Sequence, residues 1–205
     1  MNKTFTLALV AASLCVAAVA ARAAPTVDTG TPNGDPLFSY AFDSNDYYAG
    51  QVTFSDATRI QSIATHILGG TAGETFSILL YGEGVPHLPG NVLYSATSTF
   101  VADGWNGLSG LTGWNVAAGT YWVGLEIGFA DTLGTGSGGA LLDRGVARPL
   151  LQTAFNPGSG YQSVTVPLDF GLQVAAVSAV PEPSAIILML TGLALVAPIA
   201  RRRRD

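Results

Sequence analysis

The sequence predicts an all-β fold, a jelly-roll-like β-sandwich ectodomain held between two apolar end segments. Three observations carry this. Residues 75–81, 121–129 and 170–176 alternate apolar and polar side chains, the period of a half-buried strand. No stretch between the two ends repeats apolar residues at the helical spacing of about 3.6. The runs are separated by turn residues, with 25 Gly and 11 Pro in 205 residues, as many short strands require.

The elements follow in chain order. Met1-Asn2-Lys3 gives a positive start, residues 5–20 are uncharged and mostly Ala, Leu and Val, and Ala21-Arg22-Ala23 precedes Ala24-Pro25. Positive start, apolar run and small-residue site make up the layout of a secretory signal peptide. It covers residues 1–23, with signal peptidase cutting after Ala23. Cys15, the only cysteine, lies inside it. The mature chain then has no disulfide, no thiolate nucleophile and no cysteine-held metal. Residues 24–36, rich in Pro, Thr, Gly and Asp, read as a flexible leader.

The ectodomain spans residues 37–179. In the first of the alternating runs Phe76, Ile78 and Leu80 share a face. In the second Tyr121, Val123, Leu125, Ile127 and Phe129 share one, with Trp122 and Glu126 opposite. The third places Phe170, Leu172, Val174 and Ala176 together. Residues 36–42, 51–54, 59–68, 92–101 and 160–166 are further candidate strands. Between Ala24 and Val180 stand twelve acids, three arginines and no lysine, a net charge of −9. An exported domain this acidic disfavours nucleic acid and anionic lipid as partners.

Several motifs in this body could carry chemistry. Gly134-Thr135-Gly136-Ser137-Gly138-Gly139 has the Gly-x-Gly-x-x-Gly spacing. No helix pattern follows, and Asp143 comes too early for a ribose partner, so it reads as an inter-strand loop. His66 and His87 are the only histidines, and no Gly-x-Ser-x-Gly elbow accompanies them, which argues against a serine triad. Asp43, Asn45 and Asp46 form an oxygen-rich turn of the kind that takes calcium, although an Asx turn explains the same residues. Trp105, Trp114 and Trp122 are candidates for a sugar-stacking platform, since flat rings match the C–H faces of pyranoses, or else they fill the core. No other cofactor is expected.

The C-terminal end is the most specific. Pro181-Glu182-Pro183 precedes a 17-residue uncharged run, 184–200, and then Arg201, Arg202, Arg203 and Arg204. As a helix the run covers about 25 Å, near the lower limit for a membrane span. The arginines would hold their side in the cytoplasm. Residues 180–205 closely resemble the PEP-CTERM sorting signal. That resemblance implies an exosortase in the inner membrane that recognises Pro181, Glu182 and Pro183, with the four arginines as the membrane-retention cluster. It also implies delivery to the cell surface or an exopolysaccharide matrix of a Gram-negative bacterium. The 82–91 segment, with its Pro89-Gly90, and Ala118-Gly119-Thr120-Tyr121-Trp122 resemble β-sandwich ectodomains that precede bacterial surface-sorting tails. The expected function is therefore a non-enzymatic surface or matrix protein, with a carbohydrate-binding module on exposed aromatics as the alternative.

Overall fold

The computed structural model describes residues 25–136 and 139–178. The expected signal peptide with Cys15, the Pro181-Glu182-Pro183 triad, the apolar run 184–200 and Arg201, Arg202, Arg203 and Arg204 lie outside the described residues. Among the described residues no helix is long and apolar enough to cross a membrane. They form thirteen strands: β1 Pro25–Asp28, β2 Tyr40–Ala41, β3 Tyr47–Phe54, β4 Thr58–Leu68, β5 Thr75–Glu83, β6 Pro89–Thr99, β7 Gly104–Ser109, β8 Asn115–Val116, β9 Gly119–Glu126, β10 Leu141–Leu142, β11 Thr153–Asn156, β12 Gln162–Ser163 and β13 Leu172–Ser178.

These build two antiparallel sheets. One runs β1-β13-β4-β10-β2, with β7 and β8 on the other edge of β4; the second runs β12-β11-β3-β9-β5-β6. The period of two explains why they face each other. Phe76, Ile78, Leu80, Val123, Leu125, Phe170, Leu172 and Val174 all have essentially no solvent exposure and meet in one cluster with Ile60, Ile63 and Ile67 of β4. Apolar area removed from water contributes about 25 cal/mol per Å², so this shared face is the main stabilising term of a cysteine-free body. Long β4 ties its sheet together by pairing with β13 along one edge and β7 along the other.

The structure departs from the sequence reading at four places. Residues 24–36 are not a flexible leader throughout: β1 pairs with β13, and Thr29 is buried with its hydroxyl accepting from Leu172 N at 2.8 Å. Residues 36–42 do not form one strand. Asp35 accepts from Leu37 N and starts a 3-10 turn at Pro36–Phe38, and only Tyr40–Ala41 pairs. The second alternating run stops at Glu126, because Asp131 accepts from Gly128 N at 2.8 Å and closes a turn that leaves Phe129 in solvent. Of residues 160–166 only Gln162–Ser163 pairs.

Strand β7 carried no alternation signal because Gly104 and Gly107 interrupt it. Gly107 is required there: a Cβ would sit 2.1 Å from Ile63 O of the neighbouring strand.

Candidate functional site

The three tryptophans do not form one surface. Trp122, on the polar side of its strand, is a candidate either for an outward platform or for the core. It does point away from the main core, but it is fully buried. It belongs to a second apolar cluster with Ala49, Leu79, Tyr81 and Ala154, with Leu88 and Tyr161 packed on it. Its indole N–H donates to Glu83 Oε2 at 2.8 Å, the usual requirement for burying a tryptophan. Trp114 is 7% exposed and stacks on Tyr94 with ring centroids 5.2 Å apart. Trp105 on β7 is half-buried and meets His66 edge-on at 5.3 Å. Trp105 and Trp122 therefore stand on different sheets.

The second cluster is framed by two carboxylates that the sequence did not single out. Glu83 accepts from Trp122, from Gln51 Nε2 at 3.2 Å, and lies 3.1 Å from His87 Nδ1. Glu126 Oε1 accepts from Tyr81 Oη and from Tyr161 Oη, the latter at 2.7 Å. Burial first, then Glu126 through its hydrogen bond to Tyr81 and its charge beside Tyr161, push both phenols above the usual tyrosine range. Gly124 makes room for this arrangement, since a Cβ there would lie 2.7 Å from the Tyr81 ring. Glu126 sits opposite Ser77 in the sheet, six residues along β5 from Glu83. That is about 20 Å of backbone at 3.4 Å per residue. The sequence held one signal for this second cluster: Trp122 and Glu126 on the polar side of an amphipathic strand, where a tryptophan needs a cover.

The glycine-rich loop is held from within. Glu74, 8% exposed, accepts from Thr71 N at 2.8 Å and Gly134 N at 3.1 Å through Oε2, and from Gly136 N at 2.8 Å through Oε1. These backbone donors hold its carboxyl below the usual range, against the opposing effect of burial. A phosphate-cradling loop offers its N–H groups to an anion. Here the carboxylate already takes those of Gly134 and Gly136.

At Asp43, Asn45 and Asp46 the backbone closes on itself. Asn45 N donates to Asp43 Oδ1 at 2.7 Å and Asp46 N to Asp43 O at 3.2 Å, an Asx turn. Burial and the neighbouring Asp43 raise the Asp46 carboxyl. Among the described residues no three His, Cys, Asp or Glu side chains gather as a metal site. His87 is exposed beside Glu83. His66 is buried, its Nδ1 2.9 Å from Asp143 Oδ2 but off the line of a hydrogen bond. Asp143, with no exposure, also accepts from Gly34 N at 3.1 Å and from Ser39 Oγ at 3.4 Å.

An open groove of about 600 Å³ lies beside Asp169. Its polar wall is Tyr40, Arg144 and Asp169, and Leu150, Val166 and Pro167 line the rest. Asp169 accepts from Tyr40 Oη at 2.8 Å and from Arg144 Nε at 3.0 Å, while the guanidinium lies 4.7 Å over the Tyr40 ring. Burial opposes the charge, but Tyr40 and Arg144 together hold the Asp169 carboxyl below its usual range. The ordering of this wall is structural: Asp169 also takes Gly145 N at 3.2 Å and so fixes the loop after β10.

No curated protein matches the chain. Among solved structures, the cysteine protease and lectin-like domains of Cwp84, a surface layer associated protein of Clostridium difficile, overlay with a TM-score of 0.49 at 10% identity. The overlay covers 66% of this chain and 33% of that one, so the chain spans about a third of that structure's length, and no role follows from it. Residues 179–204 match the family model of the PEP-CTERM protein-sorting motif, which marks the chain as a secreted, cell-surface-targeted protein with an exosortase as its processing partner.

Proposed function

We propose that the chain is exported through a cleaved signal peptide of residues 1–23 and pauses in the inner membrane, held by residues 184–200 and the arginine cluster. An exosortase then releases it to the cell surface or to an exopolysaccharide matrix, where the body serves as a non-enzymatic module without a cofactor. The observation that carries this reading is the sorting motif at residues 179–204. The state of the body's reactive groups supports it. Glu74, Asp143, Asp169, Glu83 and Glu126 each accept from several donors of the fold itself. The long strands, ordered β1-β13-β4-β7 against β3-β9-β5-β6, follow a jelly roll, an architecture that hosts capsid and lectin domains alike, so the fold does not choose a ligand. A carbohydrate-binding module on Trp105, Trp114 and Trp122 loses its platform, because two of the three rings are buried.

The test is a pair of variants in the native host. The two prolines fix φ and remove backbone donors, leaving Glu182 as the one charge of the recognition triad. Glu182→Ala should therefore leave full-length precursor in the inner membrane, whereas replacing Arg201, Arg202, Arg203 and Arg204 should loosen retention without altering the triad. Release of Glu182→Ala to the surface at the parent's level would make the tail a plain anchor.

A further inference from the structure

The described chain begins and finishes toward the same end of the sandwich. Strand β13 lies antiparallel to β4, with Leu172 opposite Thr65 and Ser178 opposite Thr58, so the chain leaves β13 beside the turn that joins β3 to β4. Strand β1 enters against β13 with Pro25 opposite Ala175, three residues short of that exit and on the same half of the sheet. The first and last described residues, Pro25 and Ser178, thus lie toward one end of the molecule. The same end collects the turns at 55–57 and 117–118, since Phe54 pairs with Gly119 and Thr58 with Val116. The opposite end carries the segments at 69–74, 100–103 and 127–136, beyond the Thr75–Thr99 pair.

Covalent geometry bounds the tether. A chain reaches at most about 3.6 Å per residue, so Pro181 lies within about 11 Å of Ser178 and residue 184 within about 22 Å. The eleven residues of β4 extend about 33 Å. A tether shorter than the domain prevents it from turning over. Resting on the sorting-tail reading, we infer that the end formed by Ser178, Pro25 and the turns at 55–57 and 117–118 is the membrane-facing surface of the precursor. It is also the surface that the processing enzyme meets when it reads Pro181, Glu182 and Pro183. The tether sets this orientation, not attraction, because a body of net charge −9 is repelled by anionic headgroups.

The mature body has no cysteine, so single labels are clean. The full chain carrying Cys15→Ala plus either Ser55→Cys or Val101→Cys, both exposed positions, is placed in phosphatidylethanolamine/phosphatidylglycerol vesicles containing a headgroup quencher. A dye at 55 should be quenched several-fold more strongly than one at 101. Gly/Ser spacers of about 20 residues at both exits add an r.m.s. reach of about 25 Å and should bring the two signals together. Equal quenching without spacers, or stronger quenching at 101, overturns the inference. So does a contrast that survives the spacers, since attraction would then set the orientation. Flotation separates the two readings: a chain that does not float with the vesicles overturns the sorting tail and this inference together, whereas one that floats with equal quenching overturns the orientation alone.

Discussion

Trp122 and its carboxylate illustrate what single residues do in this body. The indole N–H donates to Glu83, an exposed residue that water can satisfy instead, whereas the ring itself is fully buried and Phe leaves part of its space empty. Trp122→Phe should therefore cost about 1–3 kcal/mol, read as a lower urea midpoint at unchanged slope. A sugar-stacking tryptophan would give a near-neutral change instead. Glu74 carries the acid sensitivity. Its folded pKa is lowered, so its contribution is complete above the unfolded value of about 4.3 and is lost as pH falls through the folded value. Glu74→Gln should lower stability at neutral pH and flatten the loss between about pH 5 and 2, measured by thermal melts across that range. Tyr81 and Tyr161 act at the other extreme. Their raised folded values keep the neutral phenols favoured, so their contribution is present below about pH 10 and disappears as pH rises above it. Ultraviolet tyrosine titration should show these phenols ionising together with alkaline unfolding.

At the scale of elements, β1 is the piece whose role is most testable. It covers one edge of β13, and the segment after it covers the outer face of its sheet: Gly34 N donates to Asp143 and Pro32 lies against Gly171 and His66. Thr29→Val keeps the shape but leaves Leu172 N without its acceptor, which should cost about 1–3 kcal/mol. Faster hydrogen exchange at Leu172 and Val174 would check it, since both belong to the strand that Thr29 pins. The central strands were legible because Phe76-Ile78-Leu80, Val123-Leu125-Ile127 and Leu172-Val174 alternate without interruption, and each placed its apolar set in the core as the period requires. What was not legible lacked a local pattern. Strand β1 is four residues long and is ordered by a partner about 145 residues away. Strand β7 contains two glycines. The second apolar cluster depends on Tyr161 arriving from a distant loop to cover Trp122. The anchors of the site, Glu83 and Glu126, looked like ordinary acids of a solvated strand, because the sequence does not show which donors the fold brings to them.

The whole molecule joins an acidic sandwich to a sorting tail. The tail match is confined to residues 179–204, while the body ends its last paired strand at Ser178. Address and fold therefore meet with almost no linker, and processing has to occur beside a finished domain. The most direct measurement follows both parts of one chain in its native host: an antibody against the folded body, and an epitope placed after Asp205. Intact cells should display the body at their surface without the C-terminal epitope. A strain lacking the exosortase should keep both on one full-length species in the inner membrane. Surface body still carrying the epitope, or unchanged release in the strain without the enzyme, would contradict release by the exosortase.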